Sequence, residues 1–315
     1  MAQTTTTARA HALASAAPPT EEPRALAAAP GTALEVHDFG DDAGAGTEGA
    51  SVNEQIVPFL RMMQKGSPQV DSDASEYLPD ARLGAIYDTG SGELFDGRTG
   101  VDLLVAARDF HFGLWVPRER GGGFRGTVPE TDPIVQDTLV RLGEKYGKSA
   151  RFKMPRFKQG RWSDLPPLTA DGEEVELVET GQLVTVYAGA DQLSDATARR
   201  AIVACTSTSL ATYRGWFSRH NSAQYRQNDG SMSAAATFSY RWNLSTAREE
   251  NAAGVYYVWR LALRPNGAKF VEALLKRTDP LYQTAREFYH EWRGGRVKVD
   301  YEAGAARGTD DDPPF

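Results

Sequence analysis

The chain has 315 residues, 41% of them hydrophobic, and a formal charge of −7. That is enough apolar material to bury a core in one large domain or two small ones, and no run of about 18 apolar residues is present to span a membrane as a helix. A single cysteine, Cys205, excludes an internal disulfide and any multi-cysteine zinc site and suits a reducing cytoplasm. Its neighbours Ile202, Val203 and Ala204 mark it as a buried, inert thiol.

The alanine-rich start, residues 1–52, lacks the basic flank and continuous apolar block of a secretory signal and contains Thr4 to Thr7 with several Pro and Gly. It is expected to be a disordered leader. A single ordered domain is expected over 53–300. It opens on Ile56, Val57, Phe59 and Leu60, interrupted by Pro58, and passes into the turn-rich 65–79. Residues 81–87 and 101–109 read as strands with 93–95 as a short bridge, and 112–116 as a further strand returned by a tight turn. Asp132 is placed to cap a helix beginning at Pro133, with Ile134, Leu139, Leu142 and Tyr146 as its stripe and Gly147 as its stop. Residues 151–158 read as a basic strand and 159–167 as a loop.

Further on, 175–188 alternates around Gly181 as a hairpin would, and 200–206 reads as a compact buried strand. The segment 207–227 reads as a helix, with Leu210, Tyr213, Phe217 and Gln224 near one face and Arg214, Ser218 and Tyr225 nearer another. Phe238, Tyr240 and Trp242 then alternate with Ser239, Arg241 and Asn243, which gives a strand one aromatic face and one polar face. Residues 255–263 resume the sheet, 268–293 read as helical and split at Pro280, and 296–299 read as a last strand.

The negative charge is concentrated at the ends. Residues 1–52 hold seven acids and two bases, 301–315 hold four acids and one base, and 53–300 hold 31 acids and 32 bases. Within that domain, 108–161 has twelve bases against six acids, and 196–248 has seven arginines and one acid, Asp229. Basic stretches interleaved with aromatics are what a groove for phosphates and stacked bases requires; an ordinary solvated surface gives similar counts.

Two constellations carry this chemistry. In the first, Trp115, Arg118, Arg120, Phe124 and Arg125 surround three glycines, Gly121 to Gly123, with Lys153 and Arg156 on the basic strand that follows. Aromatic faces stack on any base and arginines pair phosphates; the competing use is a hairpin whose aromatics fill a core, which suits Phe110 and Phe112 better. In the second, Arg214, Trp216 and Arg219 on the helix join Arg241 on the aromatic strand. These arginines lie in a segment almost free of acids and are expected as phosphate contacts, although alternating aromatics more often fill an interior.

At the carboxyl end Asp310, Asp311, Asp312, Pro313, Pro314 and Phe315 form an acidic run closed by an aromatic residue. A terminal Phe offers a ring for an apolar pocket and a carboxylate for a cation, while the aspartates steer toward basic surfaces. This tip resembles that of bacterial single-stranded DNA-binding proteins (SSBs), which end in an acidic peptide finishing Ile-Pro-Phe; here Pro313 stands where Ile is usual. The body is similar to phage and prophage proteins described as ssDNA-binding, through Val57, Pro58, Leu60, Gln64, Ser67 and Pro68, then Trp115, Pro117, Arg118 and Gly121 to Gly123, then Thr206, Ser207, Thr208, Arg214 and Trp216. The Gln and Lys that usually follow the Thr-Ser-Thr segment are absent.

The resemblance implies an α+β fold, an OB-type β-barrel elaborated with helical insertions. It implies a cytoplasmic, sequence-independent ssDNA-binding protein of phage-type replication or recombination, with 301–315 as a flexible tail that recruits partner proteins through its tip. A strand-annealing recombinase and a protein-only adaptor are the alternatives, and oligomeric state is open. No cofactor or metal is expected. No phosphate loop, nucleophile elbow or His-Glu-x-x-His pair is present, and His11, His37, His111, His220 and His290 are scattered, so the chain is not expected to be an enzyme.

Overall fold

The computed structural model describes residues 56–117, 120, 123–147, 157–158, 161–162, 168–170, 172–189, 193–194, 197–251 and 254–299. The chain divides into two units, 1–45 and 46–315, and every described residue belongs to the second. The leader, the 301–315 tail, and nearly all of 151–156 and its flanks therefore lie outside the described residues.

The opening strands β1 (Ile56–Val57), β2 (Leu60–Met62), β3 (Ile86–Asp88) and β4 (Leu94–Phe95) are short, and β2, β3 and β4 form their own small sheet. The buried Asp88 carboxylate closes the β3–β4 turn by accepting from the Tyr187 hydroxyl, the Ser91 hydroxyl and the Gly90 N–H. Next come β5 (Val101–Trp115), β6 (Phe124–Val128) and helix α1 (Pro133–Tyr146). Asp132 caps α1 by accepting from the Ile134 N–H at 3.0 Å, as the sequence predicts.

Strands β7 (Phe157–Lys158), β8 (Arg161–Trp162) and β9 (Leu168–Ala170) lead to the long β10 (Glu173–Tyr187) and to β11 (Arg199–Thr206). Helix α2 (Leu210–Ser222) gives way to a hairpin of β12 (Gln224–Arg226) and β13 (Met232–Ala234), and then to β14 (Trp242–Asn251) and β15 (Gly254–Leu263). Helix α3 (Pro280–Arg293) and β16 (Lys298–Val299) complete the described chain; β16 lies parallel to β1, pairing Ile56 with Lys298.

The main sheet is antiparallel, in the order β11-β10-β5-β14-β15, with β6 added to β5 and β9 to β10. The class is α+β, as expected. Among the described residues no sheet closes into a barrel: β14 pairs with β5 only over Trp242–Leu244, and β11 and β15 end the path.

Helices cover both faces of the strand pair β5–β10. On one face Tyr213 and Trp216 of α2 pack with Leu103, Val105, Leu183, Val203 and Cys205. On the other, Leu281, Ala285 and Phe288 of α3 pack with Leu104, Ala106, Val184, Val186 and Ile202. Leu103 to Ala106 are consequently all buried, which is why the first half of β5 reads as a continuous apolar run rather than an alternation. Beyond that double layer, Phe112, Leu114, Val175 and Leu177 pack with Val135 and Leu142 of α1. Burial pushes the Cys205 thiol up to about 12.

Several sequence expectations are corrected. Residues 101–109 and 112–116 do not form a hairpin, because β5 runs unbroken to Trp115 and the return is made by β6. Gly181 does not turn the chain: β10 passes straight through it, and a Cβ there would lie 2.5 Å from Cγ of Tyr213. The glycine serves close approach of the α2 ring to the sheet. Helix α2 ends at Ser222, five residues early, and 268–279 runs as turns because Leu275 donates to the Ser239 carbonyl at 2.8 Å instead of joining a helix. Pro280 begins α3 under an Asp279 cap rather than splitting a longer helix. Phe238, Tyr240 and Trp242 do not share one strand face: Thr237–Ser239 is a 3-10 turn ahead of β14, Phe238 packs with Tyr282 on the α3 side while Tyr240 and Trp242 pack on the α2 side, and all three are buried.

The outer edge of β15 is covered by side chains instead of a strand. The Gln64 amide both accepts from the Tyr257 N–H (3.1 Å) and donates to its carbonyl (2.8 Å), the Thr212 hydroxyl donates to the Trp259 carbonyl (2.7 Å), and Arg219 donates to the Leu261 carbonyl (3.1 Å). Alternate residues of an edge strand point their polar groups outward, and the carbonyls of these three are each satisfied, which blunts pairing with another chain. Gly181→Ala is expected to lower stability by about 1–3 kcal/mol by forcing Tyr213 off the sheet, measured as a reduced urea midpoint at unchanged slope.

Candidate nucleic-acid interface

The first constellation is brought together in part. Trp115 closes β5 and Phe124 opens β6, and the two are paired across the ladder at a register irregularity between Leu114 and Trp115. Their half-buried rings stand 5.1 Å apart at 53°. Bulges at such strand ends re-aim side chains, and Gly113 leaves room for the indole, since a Cβ there would lie 2.7 Å from the Trp115 Nε1.

Arg120 and Arg125 flank this pair, and both are exposed. Arg120 is bound to Glu174, and Arg125 Nε donates to Glu173 Oε2 at 2.5 Å. Glu173 and Glu174 open β10, beneath the hairpin arm. Hydrogen bonding to Arg125 holds the Glu173 carboxyl below the usual carboxylate range. Ion pairs this exposed are screened by solvent and add little to stability. Arg118, Lys153 and Arg156 lie outside the described residues, as do Asp310, Asp311, Asp312, Pro313, Pro314 and Phe315.

The second constellation is not brought together as a surface. Trp216 is fully buried, stacked on His220 at 5.9 Å and edge-on to Trp242 at 6.2 Å, so its ring is not presented to a base. Arg214 donates to the buried Glu179 carboxylate at 3.1 Å, and Arg219 is spent on the β15 edge. Sequence distance is a poor guide here: 196–248 is almost free of acids, yet Glu179 comes from β10, 35 residues away in sequence. Arg241 is half-buried beside β14, and its carbonyl accepts from the Arg264 N–H at 2.9 Å.

Burial also holds two imidazoles, His111 and His220, below the ordinary histidine value. Among the described residues no group of three or more His, Cys, Asp or Glu side chains is placed to hold a metal, and no helix is long and apolar enough to cross a membrane.

A family model described as Pam3 phage gp34-like protein matches residues 27–298. The chain belongs to that family. The phage character expected from the sequence is thereby shown, and the family description names no activity. No curated protein and no solved structure matches the chain.

Replacing Arg214 by Met removes a cation from a buried carboxylate and is expected to cost about 1–3 kcal/mol of stability, read from urea unfolding; an unchanged midpoint would show that Glu179 does not depend on it.

Proposed function

We propose that this phage protein binds single-stranded DNA without sequence preference and serves phage DNA replication or recombination. The observation that carries the reading is the Trp115–Phe124 pair at the end of β5, flanked by Arg120 and Arg125. The rings supply a stacking surface that any base fits, and the guanidiniums supply phosphate contacts. Glu173 and Glu174 hold those guanidiniums in place in the absence of a strand and yield them to phosphate when one arrives.

The antiparallel main sheet, bent by an extra residue in β5 at Ala106 and by the irregularity at Trp115, supports an OB-type ancestry elaborated with helices. Function rests on the β5–β6–β10 arm rather than on barrel closure. The acidic tip, Asp310 to Phe315, is proposed to recruit replication or recombination proteins, with Phe315 as the anchor. The chemistry is binding, and no catalytic role is assigned to any residue.

Fluorescence anisotropy with labelled oligo-dT, duplex DNA and RNA of equal length, at two salt concentrations, tests this. Salt-sensitive binding to oligo-dT with weak duplex binding is expected. Trp115→Ala should weaken it by about 1–3 kcal/mol, while the double change Glu173→Gln and Glu174→Gln should tighten it by freeing both arginines. Absence of binding to any of the three nucleic acids overturns the proposal.

A further inference from the structure

The core between α2 and β14 holds an uncommon set of polar atoms. Trp216 and Trp242 bury their indole nitrogens, His220 in the last turn of α2 buries its Nδ1, and none of the three has a hydrogen-bond partner among the described residues. Their rings form one nest. His220 stacks on Trp216 and stands edge-on to Tyr240, with centroids 5.9 and 5.7 Å apart, and Trp242 meets both Trp216 and Tyr240 edge-on. Trp259, in the same core, donates to the Ala204 carbonyl at 3.3 Å, so this core does not leave its indoles unpaired as a rule. Buried polar atoms without partners are few in folded proteins, and three in one nest call for an explanation.

The chemistry of the nest turns on one proton. Both indoles only donate, and a neutral imidazole keeps one ring nitrogen as an acceptor to set against them; an imidazolium has two donors, no acceptor and a charge. The surroundings of the ring oppose that charge. Arg108 on β5 repels it, and α2 contributes the Trp216 indole and Arg219, whose guanidinium is bound to the Leu261 carbonyl. Tyr240, just ahead of β14, shares its hydroxyl with that of Tyr225 on β12 at 2.7 Å. The Ala235 carbonyl, next after β13, favours the proton, as does the carbonyl end of α2, but burial outweighs them and holds the imidazole below its ordinary value of 6.5. Among the described residues no carboxylate is paired with the ring.

The element seated on this nest is the β12–β13 hairpin. Its strands are three residues long and mostly exposed, and it packs against the core through Tyr225 and Ala235. We propose that His220 is an acid-sensitive latch: its neutral ring closes the nest on which the hairpin sits, and its protonation releases the hairpin and the end of α2 while the β5–β10 layer stays folded. The sign follows from burial. The closed state holds the imidazole below 6.5 and the open state returns it to that value, so the latch is at full strength above about pH 6.5 and weakens as the pH falls below it. A short element with so few buried anchors is where local opening precedes global unfolding. The latch does not depend on strand binding.

Hydrogen exchange of the full chain, read by mass spectrometry at about pH 7.5 and about pH 5.5 and corrected for the intrinsic pH dependence of exchange, tests this on peptides spanning 223–236, with a β10 peptide as reference. The hairpin peptides are expected to exchange several-fold faster at the lower pH, up to the roughly tenfold ceiling that a free imidazole allows one pH unit below its own value, while the β10 peptide holds. His220→Phe and His220→Gln, neither of which can be protonated, should lose the response; His111→Gln, which removes the other imidazole held low by burial, should keep it. The wild-type His220 ring, followed by NMR, should titrate below 6.5, a readout that does not depend on a variant folding. Equal protection of the wild-type hairpin at both pH values, a response that survives in a folded His220→Phe or His220→Gln protein or disappears in His111→Gln, or a wild-type ring that titrates at its ordinary value or above, overturns the latch.

Discussion

The pairing of β5 with β10 is the contact on which the molecule is built. Two strands of fifteen residues each are registered from Leu103 against Tyr187 to Trp115 against Glu176, longer than any single helix or neighbouring strand present can cover. The end of the pair that joins the first half of β5 to the last half of β10 is sealed on both faces by α2 and α3, and the other end is packed by α1 on one side. What the covering elements leave over is a projecting arm ending in Trp115 and Phe124, and a gap in the β5 edge that neither β6 nor β14 reaches. The proposed binding arm is a by-product of that mismatch in length.

The second organising constraint is the treatment of charge and of open edges. Buried and edge polar groups need partners, and here arginines supply many of them: Arg214 to buried Glu179, Arg219 to the Leu261 carbonyl, Arg264 to Asp102. An arginine committed in this way is scaffold. Those left with exposed glutamates keep their charge near the surface. This distinction, rather than the local density of basic residues, separates Arg120 and Arg125 from the arginines of α2.

How much of this is legible in the sequence depends on the range of the interactions involved. The Asp132-Pro133 helix start, the buried Cys205 strand and the α+β class follow from neighbours in sequence, and the chain adopts them. The same Asp-Pro signature at Asp279-Pro280 reads as a helix break because the apolar residues before it look helical; pairing of Leu275 with Ser239 decides otherwise. Gly181 resembles a turn because nothing local announces that Tyr213 will pack against it. Trp216 and Arg214 look free for the same reason, since Trp242 and Glu179 come from distant strands. The first constellation fares better because Trp115 and Phe124 are joined by a single short connection, so proximity in sequence becomes proximity in space.

Photochemical cross-linking of the full chain to a halogenated oligo-dT, with the attached peptides mapped by mass spectrometry, asks most directly whether β5 is the track of a single strand. If it is, adducts form on the peptides carrying Trp115 and Phe124, and excess unlabelled oligo-dT removes them. Efficient cross-linking confined to α1 or the β12–β13 hairpin, with none at these rings, would place the strand elsewhere and contradict it.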